Sequence, residues 1–216
     1  MADLIFYTNP MSRGRIVRWM LEEVGAPYET VLLDYGTTMK GADYLAVNPM
    51  GKVPAIRHGD TVVTEGAAIC VYLADAFPER GLAPPPGDPR RGPYYRWLFF
   101  AAGPAEAAIS AKAMGLLAPA EKSGMVGYGS FEAMLDTLES AVAVDAYICG
   151  EQFTAADVYV GSQIGWGLQF GTIERRPAFE AYAGRLRQRE AAQRASALDD
   201  ADMAKVTPPP MPAAAS

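Results

Sequence analysis

The chain has 216 residues, half of them hydrophobic, and a formal net charge of −6. That size supports one large domain or two small ones with cores of their own. The acidic balance, without a long basic run, argues against nucleic acid or an anionic membrane as the main partner, and no apolar run reaches the length of a membrane span.

Met1-Ala2-Asp3 leads directly into the β-type run Leu4-Ile5-Phe6-Tyr7, so no signal peptide is expected and the protein reads as cytoplasmic. Thr8-Asn9-Pro10 closes that strand, and Ser12 is a natural N-cap for a first helix. In that helix Ile16, Val17, Met20, Leu21 and Val24 repeat at helical spacing, and Arg15, Arg18 and Glu22 are placed on the opposite, solvated face. Gly25 and Pro27 end it. Tyr28 to Leu33 reads as a second strand, completing a right-handed βαβ unit, and residues 34–46 as a loop with a short irregular helix.

The next stretch is the most specific one in the chain. Val53 precedes Pro54, which opens a short apolar strand, where a proline sacrifices no central ladder bond. A cis Val53-Pro54 bond, which costs only about 0.5–1 kcal/mol, would turn the chain sharply so that Val53 presents its backbone N–H and C=O outward. Arg57-His58-Gly59-Asp60 reads as a hairpin turn. The following strand enters a helix with Thr64 as N-cap and Glu65-Gly66 in the first turn. An exposed strand edge and a bare helix N-terminus thus come together, an arrangement suited to a small acidic peptide. Asn48 reads equally well as a turn residue bonded to its own backbone.

After residue 77 the composition shifts. Pro78, Gly81, Pro84-Pro85-Pro86-Gly87 and Pro89 form a stiff linker over residues 78–89. Helices follow with almost no strand signal. Tyr94 to Leu117 is interrupted by Gly103-Pro104, where a kink is expected, and Phe131 to Tyr147 is a second helix. Phe153-Thr154-Ala155-Ala156-Asp157 has a capping-box pattern with Asp in place of Glu, opening a buried helix. Arg176-Pro177 starts a last helix with a solvated face, and from Lys205 the tail is Pro/Ala-rich. Cys70 and Cys149 lie far apart without a CxxC, and His58 is the single histidine, so neither a metal site, a dithiol pair nor a histidine-based triad is expected.

Three motifs together, Pro10-Met11-Ser12-Arg13-Gly14-Arg15, Asn48-Pro49-Met50-Gly51-Lys52-Val53-Pro54 and Thr64-Glu65-Gly66-Ala67-Ala68-Ile69, with the Phe153–Asp157 box as a fourth, resemble the cytosolic glutathione transferase family over about residues 4 to 200. Within it the chain is most similar to the bacterial and fungal branch with Ser-Arg after the first strand, related to the theta and nu types. The resemblance implies an α/β thioredoxin-like N-terminal domain (βαβαββα, residues 1–77) followed by an all-α C-terminal domain (90–204) and a tail (205–216). It implies that the first domain binds glutathione as co-substrate, without a metal, and that the second supplies a pocket for a small apolar electrophile. Val53 would pair with the cysteinyl backbone, Glu65 and Gly66 would hold the γ-glutamyl end, and Lys52 and Lys40 would face the glycyl carboxylate. Thr154 and Asp157 would be structural, and a homodimer is implied.

Ser12 would lie near the sulfur, with Thr8, Asn9 and Tyr7 as rivals. Ala102, Ala105 and Trp166 are the candidates for the second pocket. The family commonly carries serine where this chain has Gly66, which keeps the N–H but lacks a hydroxyl able to make a charged hydrogen bond of roughly 1.5–3 kcal/mol. Two other functions fit the same motifs: glutathione-dependent peroxide or disulfide reduction, and non-catalytic binding by a transferase-like module.

Overall fold

The computed structural model of the protein describes residues 3–208, and the expected tail from Pro209 onward lies outside them. The chain forms two compact units. Among the described residues, one comprises 3–72 with 190–208, and the other comprises Leu73–Arg189.

From the N-terminus, β1 (Leu4–Thr8), α1 (Gly14–Val24), β2 (Glu29–Leu32), α2 (Ala42–Leu45), β3 (Ala55–His58), β4 (Thr61–Thr64) and α3 (Gly66–Ala76) follow the expected order, all within the first unit except the last residues of α3. The sheet is arranged β2-β1-β3-β4, with β1 parallel to β2 and the other two pairs antiparallel. β1 alternates as a strand must: Leu4, Phe6 and Thr8 are fully buried, while Ile5 and Tyr7 are half-buried on the opposite face. On that second face Tyr7 packs with Val31, Tyr35, Val47 and Val53 against a small cluster of Leu33, Met39, Tyr44 and Ala55. The β3–β4 hairpin turns at Gly59-Asp60, where Gly59 has φ 56°.

The apolar stripe of α1 is buried as its spacing predicts: Ile16, Val17, Met20, Leu21 and Val24. Gly25, at φ 67°, ends the helix and donates its N–H to Leu21 O. Arg18, however, was expected in solvent and is 2% exposed. Its face of α1 is covered by α9 (Glu190–Asp202), whose Asp199 and Asp202 carboxylates accept from Arg18 Nε and Nη2 at 2.8 and 2.7 Å. The compact units therefore differ from the domains expected from sequence: α9, expected in the helical part, packs on α1 and is grouped with the first unit. At its far end the Thr207 N–H donates to Asp34.

The second unit carries α4 (Arg91–Phe100), α5 (Glu106–Ala113), α6 (Phe131–Val142), α7 (Ala155–Phe170) and α8 (Pro177–Arg187). The irregularity expected at Gly103-Pro104 is a π-helical turn, Ala101–Ala105, joining α4 to α5: the proline lacks an N–H to donate, and a wider turn absorbs the gap. The single last helix expected from Arg176 is two, α8 and α9, separated at residues 188–189. Thr154 and Asp157 form the expected capping box at the start of α7. The Asp157 carboxylate, fully buried, accepts from Ile148 N, Thr154 N and Tyr182 Oη; burial raises its pKa, and these donors counter that rise. Among the described residues no helix is long and apolar enough to cross a membrane.

Candidate functional site

The sheet register brings three pieces of chain to one end of the first unit. Tyr7 pairs with Ala55 and Ala55 with Thr64. Two residues beyond these pairs the three chains reach Asn9, Val53 and Gly66. The C-terminal end of β1, the start of β3 and the start of α3 therefore converge, which is where open α/β sheets bind ligands.

Val53 is half-buried, and the Val53-Pro54 peptide is cis. Among the described residues the Val53 N–H and C=O take no backbone partner. The loop that carries Val53 is held in place from several sides. Asn48, 5% exposed, donates from Nδ2 to Lys52 O at 2.7 Å and accepts from Met50 N at Oδ1, and Tyr44 Oη donates to Lys52 O at 2.6 Å. Lys40 Nζ donates to Met50 O and Gly51 O at 3.0 and 2.7 Å, so it braces the loop through two of its three donors. Lys52 is exposed, and among the described residues its side chain has no partner.

Glu65 has φ 67°, the single non-glycine with positive φ among the described residues, and its side chain is exposed. It occupies the position before α3, and Thr64, expected as N-cap, is the last residue of β4 instead. The left-handed backbone reverses the chain between strand and helix, leaving the first N–H groups of α3, starting with Gly66, at the site.

Ser12 was expected as the N-cap of α1, but the helix begins at Gly14, with Arg13 in the cap position. The hydroxyl of Ser12 donates to Asn9 O at 2.6 Å and accepts from Gly14 N at 2.9 Å. It is half-buried at the helix start. Its three rivals are placed differently. Asn9 is fully buried, donating from Nδ2 to Leu33 O at 2.7 Å and accepting from Met11 N at 2.9 Å. Tyr7 stacks at a tilt on Tyr44, 5.6 Å between centroids. Thr8 is fully buried, and its hydroxyl, which has no hydrogen-bond partner among the described residues, lies 1.9 Å from where a Cβ on Gly14 would be.

That close approach fixes glycine at the start of α1. Gly14→Ala is expected to cost about 1–3 kcal/mol by overpacking, and Thr8→Ala in the same chain is expected to return most of it. Denaturant midpoints of the single and double variants check this; a double variant no more stable than Gly14→Ala would contradict it.

One neighbour of Ser12 carried no signal in the sequence. Tyr35, in the loop after β2, reaches its hydroxyl back at 3.3 Å to the O of Met11, the residue before Ser12. Burial raises its pKa, while Ser12 and Arg13 pull it down. The candidates for a second pocket lie in the other unit. Ala105 is fully buried and Ala102 half-buried in the π turn, which packs against α7, where Trp166 is half-buried. Among the described residues no group of three or more His, Cys, Asp or Glu is placed to hold a metal ion.

Comparison with known proteins gives this arrangement a family. The family model described as glutathione S-transferase, N-terminal domain, matches residues 11–76. Glutathione S-transferase GstA of Escherichia coli O157:H7 is 33% identical over 151 residues, covering 68% of this chain and 73% of that one. A solved glutathione transferase from Methylococcus capsulatus is 31% identical with a TM-score of 0.77, covering 92% of this chain and 99% of its own. A sphingomonad glutathione S-transferase complexed with glutathione is 31% identical with a TM-score of 0.73, covering 91% of this chain and 98% of its own. By sequence, by the thioredoxin-like sheet and by the helical second part, the chain belongs to the glutathione S-transferase family of enzymes.

Proposed function

We propose that the protein activates the thiol of glutathione and conjugates it to a small, largely apolar electrophile. The observation that carries the reading is the convergence, at one end of the sheet, of the free backbone pair of Val53, the left-handed Glu65 at the bare start of α3, and Ser12 at the start of α1. Val53 would hold the cysteinyl backbone from both sides, as an added strand is held. Glu65 would take the γ-glutamyl ammonium, while Gly66 and the following N–H groups take its carboxylate. Lys52, with Lys40 behind it, would supply positive charge for the glycyl carboxylate.

A free thiol has a pKa near 8.5, so only a few per cent is thiolate at neutral pH. Sulfur placed beside Ser12 at the positive end of α1 would be stabilised as thiolate by hydroxyl donation and by the helix dipole, without a general base. The thiolate would then attack the electrophilic carbon, and the leaving group would depart with its electron pair. Ala102 and Trp166, both half-buried, are proposed to face the electrophile, whereas Ala105 has no exposed surface with which to do so. A homodimer in the cytoplasm is part of this proposal; exposed apolar side chains such as Phe99, 74% accessible, support an interface.

Reductase chemistry through a protein thiol is disfavoured. Cys70 is buried with its pKa driven up, and burial pushes Cys149 to about 12, so neither supplies a thiolate at neutral pH. The test is a paired assay with a chlorodinitrobenzene-type electrophile and an organic hydroperoxide, both with glutathione. Conjugation of the electrophile is expected; activity on the hydroperoxide alone would overturn the reading.

A further inference from the structure

The hydroxyl proton of Ser12 already has a recipient. It is donated to Asn9 O at 2.6 Å, while the oxygen accepts from Gly14 N. A serine carries one donatable proton, so Ser12 can offer it to a sulfur only by giving up a short bond to a carbonyl. The Tyr35 hydroxyl is in the opposite position: its bond to Met11 O, at 3.3 Å, is long for an O–H donor. Met11 immediately precedes Ser12, so the Tyr35 hydroxyl ends at the same turn as the Ser12 hydroxyl, and a sulfur placed beside Ser12 lies near both.

From this geometry we propose that Tyr35 is a catalytic residue of the glutathione site, donating its hydroxyl proton in a hydrogen bond to the thiolate beside Ser12. The proposal rests on the thiol-activation reading above and adds to Ser12 a second donor within it. A phenol is a stronger hydrogen-bond donor than an aliphatic alcohol. Burial keeps this one protonated, while Arg13 adds positive potential from the same turn. The ring is held by the Leu33, Met39, Tyr44 and Ala55 cluster, so the hydroxyl is presented from a packed base. The thiol's own proton leaves to solvent, and Tyr35 keeps its proton throughout.

The test is Tyr35→Phe, which keeps the ring and removes the donor, with the thiol pKa of bound glutathione followed by ultraviolet absorbance. The expected result is a pKa higher by about one unit, a roughly tenfold smaller thiolate fraction below it. kcat should fall near neutral pH and recover at alkaline pH, KM for glutathione should change by less than about twofold, and the thermal midpoint should stay at the wild-type value. Site-specific 3-fluorotyrosine at position 35, a more acidic phenol, is expected to move the bound thiol pKa the other way. A bound-thiol pKa unchanged in both variants would overturn the role of Tyr35 while leaving the glutathione reading standing. A wild-type protein that does not bind glutathione would overturn both.

Discussion

Glu65→Gly is expected to lower the affinity for glutathione by about one to two orders of magnitude, the equivalent of one charged hydrogen bond, while leaving the fold at least as stable as before. The two effects have separate causes. The carboxylate is the proposed partner of the γ-glutamyl ammonium, and glycine removes it. The left-handed backbone at φ 67° disfavours an L side chain by about 1–2 kcal/mol, and glycine relieves that, less its greater freedom in the unfolded chain. Glu65→Ala separates the causes further: it should lose as much affinity with no gain in stability. A non-glycine in this conformation on an exposed turn persists where function holds it. If Glu65→Gly bound glutathione as tightly as wild type by calorimetry, the assigned ammonium contact would be wrong.

Arg18→Met is expected to be the more damaging change, destabilising the protein by about 3–5 kcal/mol at pH 7. Its guanidinium is shared by Asp199 and Asp202 and lies over the Phe6 ring, 5.3 Å from the centroid. Removing it leaves two carboxylates facing each other under α9. Arg18 and Asp199 both have raised pKa values, although an ion pair alone would lower the acid. Burial is the largest cause: with repulsion from Asp202 it outweighs the attraction of Arg18 and Arg15 and lifts Asp199 to about 6.

The sign of the pH dependence follows. Asp199 binds its proton more tightly folded than unfolded, where its pKa is near 3.9, so its contribution to stability is full below that value and is lost as pH rises through about 6. In Arg18→Met the shift grows, so the deficit against wild type should be largest above pH 6 and smaller at pH 5. Replacing Arg18, Asp199 and Asp202 together with apolar residues of similar volume should recover most of the loss. Chemical denaturation at the two pH values checks both statements; a deficit that widens in acid would contradict them.

The first unit was legible because its signals are local. The alternation of β1, the stripe of α1 and the hairpin before α3 each come from neighbouring residues, and the structure keeps all three. Arg18 was misread for the complementary reason. Heptad spacing shows which face of α1 is polar, but not that a helix 180 residues later covers it with two carboxylates. The division between α8 and α9 was missed because Gln188 and Arg189 are ordinary helix formers, with no glycine or proline to mark the break. Thr64 looked like a cap by residue type, whereas Glu65 takes the position through an unfavourable φ that composition does not show.

The candidate site divides in the same way. Val53, Glu65 and Gly66 were readable because one hairpin carries them, and the ladder confirms that the start of β3 and the start of α3 are neighbours. Lys40 was assigned to the glycyl carboxylate through the family resemblance, and the structure commits two of its donors to the Met50 and Gly51 carbonyls. Tyr35 was invisible: an isolated tyrosine in a polar loop has no periodicity. Its meaning comes from the hydroxyl reaching Met11 O, beside Ser12, across the fold.

The central claim is that this end of the sheet binds glutathione and holds it as thiolate. Its most direct test is the ultraviolet titration of glutathione bound to the wild-type protein, with Ser12→Ala beside it. The account predicts a bound-thiol pKa below the free value near 8.5, with the Ser12→Ala value moved back toward it. Glutathione that fails to bind at millimolar concentration, or binds with the pKa of the free thiol, would contradict it.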